Sequence, residues 1–213
     1  MNRVGGETGT NRVRGEAGMN RVSGGASVAR RRAATAPVRI AVIGAECTGK
    51  SSLCEALAVR LPALWVPEAL REFCDRQGRT PRADEQAGLI VKQLARETAA
   101  LRLARERACD WLVIDSSPLA TALYSIELFD DPSLLEAAIA HQRGYDLTLL
   151  AGIDLPWAAD GIQRDGPDAR DAFHARLVAV LAEARIAHTL LHGAMPDRLR
   201  EALLAAGRRP TTL

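Results

Sequence analysis

Lysine is nearly absent from this chain. Of 28 basic residues among 213, two are lysines, Lys50 and Lys92, and the rest are arginines. Aromatic residues make up 4% of the sequence, so few rings are available to stack on a heterocyclic ligand. The four cysteines, Cys47, Cys54, Cys74 and Cys109, show no Cys-x-x-Cys spacing and no nearby paired histidines, which argues against a zinc site. Scattered single thiols fit a reducing, cytoplasmic setting. No run reaches the ~18 apolar residues that a membrane-spanning helix needs. A net charge of +2 demands no polyanionic partner, so neither nucleic acid nor a membrane surface is expected as a specific ligand. A content of 47% hydrophobic residues suits one globular domain with a tail. Oligomeric state has no signature in these features.

The tail is expected over residues 1–36. Asn-Arg-Val recurs at Asn2, Asn11 and Asn20, with Gly-Glu-Thr-Gly and Gly-Glu-Ala-Gly between the copies. So polar a repeat offers little burial to offset the entropy of ordering, and a disordered appendage is predicted. Met19 opens the same Met-Asn-Arg-Val string as Met1, which makes it an alternative start for translation. Arg30-Arg31-Arg32 has the look of a twin-arginine signal or a nucleic-acid arm, but the apolar stretch after it is interrupted by Arg39 and is needed as a strand. Residues 37–213 are the expected nucleotide-binding domain.

One of the two lysines sits in a demanding pattern. Val38 to Ile43 is an apolar run feeding Gly44-Ala45-Glu46-Cys47-Thr48-Gly49-Lys50-Ser51-Ser52, and a helix-like segment follows at once. The pattern G-x-x-x-x-G-K-[ST] between a strand and a helix describes a loop whose backbone N–H groups wrap the phosphates of a nucleotide. Its lysine reaches the β- and γ-phosphates, and its serine hydroxyl takes a place on Mg²⁺. The dipole of the following helix points at the same anion. ATP and Mg²⁺ are therefore the expected cofactors. Cys47 falls inside the loop, beside the expected anion site.

From Val38 onward strand and helix alternate. Strands are predicted at Arg39–Ile43, Leu64–Val66, Trp111–Ile114, Leu147–Ala151 and Ala187–Leu191. Helices are predicted at Ser51–Leu61, Ala83–Ala108, Pro118–Leu128, Pro132–Arg143, Asp168–Arg185 and Pro196–Ala206, three of them opening on a proline. Short all-apolar strands between amphipathic helices mean an α/β fold: a five-stranded parallel sheet with helices on both faces. Ligands of such sheets lie outside the carboxyl ends of the strands.

Four groups stand at those ends. Asp115 terminates the third strand, where a carboxylate can hold Mg²⁺ or its water shell, or cap the next helix. Glu68, Arg71 and Glu72 follow the second strand, placed so that a carboxylate can take the proton of an acceptor hydroxyl or hold it in line with the γ-phosphorus. Leu155 to Gly166, rich in glycine and alternating charge, is expected to cover the site, with Arg164 and Arg170 closing on phosphate oxygens. Trp65, Phe73, Tyr124 and Trp157 are the rings placed to reach a pocket.

Taken together, Gly44–Ser52, Glu68-x-x-Arg71-Glu72, Asp115 and Pro156-Trp157-x-x-Asp160-Gly161 resemble the ribosylnicotinamide kinase domain of the bifunctional NAD-salvage and regulator proteins. The resemblance runs from about Val38 to Leu204. It implies a three-layer nucleoside-kinase-like core, MgATP as donor, and phosphorylation of a ribosyl 5′-hydroxyl to give nicotinamide mononucleotide. It further implies that Lys50 and Ser51 serve phosphate and metal, that Glu68 or Glu72 serves the acceptor, and that Arg164 belongs to the lid. Glu68, Arg71, Tyr124, Trp157 and Asp160 are the candidates for binding the acceptor. The sequence departs from the family pattern at Leu70, which replaces an alanine, and at Arg164, which comes one residue late. The His-x-Gly-His signature of the family's nucleotidyltransferase domain does not occur among His141, His174, His188 and His192, so adenylyl transfer is not expected.

Two further readings stay open: a kinase of another nucleoside or small alcohol, and a slow nucleotide-hydrolysing regulator. A guanine-specific switch is disfavoured because no Asn-Lys-x-Asp string occurs.

Overall fold

The structure is a computed structural model that describes residues 36–157 and 166–208. Among these residues five strands form one parallel sheet in the order β2-β3-β1-β4-β5. The strands are β1 (Val38–Ile43), β2 (Leu64–Val66), β3 (Trp111–Asp115), β4 (Leu147–Ala151) and β5 (Thr189–Leu191). Among the described residues six helices connect them, α1 (Lys50–Arg60), α2 (Ala69–Gln77), α3 (Ala83–Glu106), α4 (Pro118–Phe129), α5 (Leu135–Gln142) and α6 (Pro167–Glu183), and a seventh, α7 (Met195–Gly207), follows β5.

The central strand shows why the strands read as largely apolar runs without a polar face. Side chains alternate between faces along a strand. On β1, Ala41 and Ile43 enter a core built with α4, α5 and α6, including Leu119, Leu123, Ala138, Phe173 and Leu177. Ile40 and Val42 enter the opposite core, built with Leu53, Cys54 and Leu57 of α1 and Ala202 and Ala206 of α7. Both faces are covered, giving the expected three-layer α/β architecture. A smaller cluster of Leu70, Cys74 and Leu89 joins α2 to α3.

Three local expectations shift. The helix expected from Pro132 begins at Leu135, because Asp131 accepts a hydrogen bond from the Ser133 N–H (2.9 Å) and shapes a turn around the proline. The fifth strand starts at Thr189 rather than Ala187, since its first partner on β4 is Leu149. The segment after β2 is a helix, α2, closed by Gly78 in the left-handed conformation. The order of the strands puts β1 in the middle, so the loop leaving β1 is flanked by the ends of β3 and β4.

Candidate active site

Gly44 leaves β1 at φ 154°, and a Cβ there would come within 3.0 Å of the Ala151 carbonyl on β4. Glycine is required where the loop passes its neighbour strand. The loop then turns through Cys47 (φ 53°) and Gly49 (φ 75°), and Lys50 and Ser51 open α1. The Ala45 carbonyl accepts the Thr48 hydroxyl (2.8 Å) and the Lys50 ammonium (2.6 Å), which closes the loop on itself. A cavity of about 240 Å³ lies against it, lined by Cys47, Thr48, Gly49, Lys50, Ser51, Ser52 and Arg71. N–H groups of the first helical turn have no partners within their helix and form a ready anion site.

Asp115 stands beside Val42 in the β1–β3 register and is 1% exposed. Burial raises its carboxyl above the usual carboxylate range, while a hydrogen bond from the Ser51 hydroxyl and the charges of Lys50 and Arg71 pull it back. Its Oδ1 is buried with no hydrogen-bond partner. An orphaned carboxylate oxygen costs free energy unless something meets it. The Ser51 hydroxyl and the Asp115 carboxylate thus form an oxygen pair that suits Mg²⁺, a cation that takes one or two protein oxygens and completes its shell with water and phosphate. No cluster of three or more metal-ligating side chains occurs among the described residues, and Mg²⁺ beside phosphates needs none.

Glu68 caps the start of α2, next to the end of β2. The residue is half-buried, yet burial lifts its carboxyl above the ordinary range; Lys50 opposes this, Asp115 adds to it, and the Ser116 hydroxyl and Arg71 also oppose it. Glu68, Asp115, Lys50 and Arg71 therefore share one electrostatic site at the strand ends. Glu72 is engaged elsewhere. Its carboxylate pairs with Arg76 (3.0 Å), Lys92 (3.1 Å) and Arg96, which fixes α2 to α3. Arg71, one turn along α2, lines the cavity of the phosphate loop.

The remaining expected residues divide. The Trp157 indole donates to Glu46 Oε1 at 3.5 Å, so the segment after β4 lies against the phosphate loop. Arg170 is 8% exposed, and its fork donates to the Leu155 carbonyl (3.0 Å) and to Asp171 (3.4 Å). Tyr124 stacks on Phe173 with ring centroids 4.3 Å apart and packs beside Leu70, Cys74 and Leu89. The Trp65 indole N–H is buried without a partner, and its ring packs with the α1–α7 core. Asp160 and Arg164 lie outside the described residues.

One site residue escaped the sequence reading. Arg198 of α7 is fully buried and donates to the carbonyls of Thr48 (2.8 Å), Gly193 (2.8 Å) and Gly152 (3.1 Å) and to Asp154 Oδ1 (2.6 Å). The available signal was its spacing. Arg198, Ala202 and Ala206 fall four apart on the buried face of α7, so a cation sits on an apolar stripe.

A family model described as an AAA domain (AAA_28) matches residues 39–198, from β1 to Arg198 itself. The chain belongs to this AAA-domain family. No curated protein matches it in sequence. Among solved structures, the family member is similar to NadR protein in complex with NR, and to NadR in complex with NAD and AMP-PNP. Each match has 21% identity and a TM-score of 0.64 and covers 84% of this chain. This chain matches 52% of the length of those NadR chains. It is also similar to deoxyadenosine kinase from M. mycoides, with 10% identity and a TM-score of 0.55, covering 81% of this chain and all of that one. At these identities the likeness is one of fold.

Proposed function

We propose that the protein is an ATP-dependent kinase that phosphorylates the 5′-hydroxyl of a nucleoside, with nicotinamide riboside as the acceptor. The observation that carries this reading is Glu68. It is a carboxylate at the strand ends, separate from the Ser51–Asp115 oxygen pair and raised above the usual carboxylate range by burial. Beyond the phosphate loop and its metal partner, a nucleotide hydrolase needs a group that orients water and a kinase needs one that orients an acceptor hydroxyl. A second carboxylate beside them, with Arg71 next to it, fits an enzyme that must hold an acceptor hydroxyl in line.

In this reading the backbone N–H groups of Gly44–Ser52 wrap the β- and γ-phosphates, and Lys50 exchanges the Ala45 carbonyl for phosphate oxygens. Mg²⁺, held by Ser51 and Asp115, would neutralise charge on the same oxygens when bound. Glu68 accepts the proton of the 5′-hydroxyl as the new O–P bond forms and the bond to the ADP leaving group breaks. A carboxylate held above its ordinary pKa is the stronger base for that transfer. Arg71 faces the transferred group from the acceptor side. Trp157 and Asp160 are our candidates for the acceptor's ring and ribose, Tyr124 lies further back in its stack with Phe173, and Arg164 is the candidate lid cation. Support for nicotinamide riboside comes from the Pro156-Trp157-x-x-Asp160-Gly161 string and from the fold shared with NadR, which was solved with NR.

Equal concentrations of nicotinamide riboside, uridine and adenosine, offered with MgATP, test it. Mass detection is expected to show nicotinamide mononucleotide as the dominant product, with ADP release rising severalfold over water alone. Equal products from all three would remove the NAD-salvage reading and leave a broader nucleoside kinase. Acceptor-independent ADP release would point to a regulator instead.

A further inference from the structure

A guanidinium carries five N–H donors in a fixed planar fork. Four hydrogen bonds engage that of Arg198, and their acceptors come from three separate strand ends. Thr48 belongs to the loop leaving β1, Gly152 and Asp154 follow β4, and Gly193 follows β5. Asp154 completes the knot: its Oδ2 accepts the Gly193 N–H at 2.6 Å, and its Oδ1 lies 3.5 Å from His192 Nδ1. Gly152 leaves no room to loosen the arrangement, since a Cβ there would stand 2.8 Å from Asp154 Oδ1 and 2.9 Å from the Leu191 carbonyl. A fully buried cation is costly in an apolar layer. A leucine at that position would fill the α7 stripe without the charge. The cation's partners are main-chain carbonyls of site loops, which points to loop geometry as its purpose.

The Thr48–Gly49 bond is trans, as is every peptide bond described. In a trans peptide the carbonyl and the following N–H point in opposite directions. Whatever fixes the Thr48 carbonyl therefore fixes the Gly49 N–H. We propose that Arg198, braced by Asp154, is a positioning residue that presets the phosphate loop, turning the Gly49 N–H toward the cavity and tying the loop's conformation to the ends of β4 and β5. The ligand recognised is the polyphosphate of a nucleoside triphosphate, and Arg198 acts on it through the loop without touching it. The inference rests on the nucleotide-binding part of the proposed function and not on the identity of the acceptor.

Calorimetric titration of the full chain with Mg²⁺-tripolyphosphate, a probe lacking base and sugar, tests it together with ATP. Arg198→Lys keeps the charge but cannot span three carbonyls. At a temperature where it is folded it should bind tripolyphosphate at least about tenfold more weakly, the fold-change carried by one hydrogen bond's worth of preorganisation. Asp154→Asn, which keeps the side chain's size and one acceptor oxygen, should weaken binding in the same direction by less at a temperature where it is folded. Millimolar guanidinium added to Arg198→Ala should recover part of the lost affinity, where sodium chloride of equal ionic strength does not. Folded Arg198→Lys and Asp154→Asn that bind tripolyphosphate within twofold of the parent would overturn the inference, even if their melting temperatures fall. A parent chain that binds neither tripolyphosphate nor ATP would overturn the nucleotide reading, and this inference with it.

Discussion

At the scale of single residues, Glu68 and Asp115 keep two carboxylates close to one lysine in a buried site, and that arrangement has a cost. A carboxyl whose folded pKa lies above its unfolded value holds its proton longer in the folded state. Stability is then lost as pH rises from the unfolded toward the folded pKa, and the loss persists at neutral pH. Burial is the largest cause of the raised pKa of Glu68, with Asp115 adding to it. Glu68→Gln should therefore melt at a temperature equal to or above that of the parent at pH 7, measured without nucleotide or metal. The same substitution should reduce turnover by about 10²-fold or more, since in the proposed mechanism it deletes the general base. Thermal melts and initial rates on one preparation check both halves. A variant that is less stable and fully active would remove Glu68 from the site and make it a structural cap of α2. Which of Glu68 and Glu72 faces the acceptor could not be read from their spacing. Lys92 and Arg96 of α3 engage the Glu72 carboxylate, which is why we propose Glu68, and contacts between distant segments leave no mark in a local string.

At the scale of elements, the strands and most helices were legible because the chain changes period sharply, from short apolar runs to stripes recurring every three to four residues. The phosphate loop was legible for a stronger reason, since glycines at Gly44 and Gly49 and the single lysine at Lys50 answer separate steric and electrostatic demands. What was not legible is the work of distant partners: the strand order, the helical start after β2, and the clamp from α7. The N-terminus of α3 shows a device that mixes the two. Glu85 accepts both nitrogens of the Arg79 fork (2.7 and 2.8 Å) and the Arg82 N–H (2.8 Å). The bond from Arg79 chiefly, then that from Arg82, lowers its carboxyl to about 2. A depressed carboxylate stabilises the fold above its unfolded pKa of about 4.3, and the effect is lost as pH falls toward the folded value. Parent and Glu85→Gln should therefore differ in melting temperature by a constant amount from pH 7 to about 5, and the gap should narrow at lower pH. All other carboxylates titrate alike in the two proteins, so the difference isolates Glu85. A gap that is independent of pH would mean that the clasp works through shape and not charge.

At the scale of the whole molecule, the buried side chains fall into two layers about one sheet, and the described core begins at Pro37, which is buried just before β1. No helix among the described residues is long and apolar enough to cross a membrane. Every group assigned to phosphate, metal or acceptor lies C-terminal to Pro37. Residues 1–36 contain no leucine, isoleucine or aromatic residue, so they have little apolar surface to bury against that core. We therefore propose that they contribute neither to the stability of the α/β domain nor to its nucleotide site. A chain beginning at Pro37 should melt within about two degrees of the full chain, a shift that corresponds to roughly 0.5–1 kcal/mol for a domain of this size. It should also bind ATP with unchanged affinity at moderate salt. At low ionic strength the full chain is expected to bind anionic surfaces somewhat more strongly, because Arg30, Arg31 and Arg32 add positive charge whose attraction salt screens. A drop of several degrees on truncation would show that the glycine-rich repeats pack on the domain. A loss of ATP affinity without a change in melting temperature would instead place their arginines near the phosphate loop.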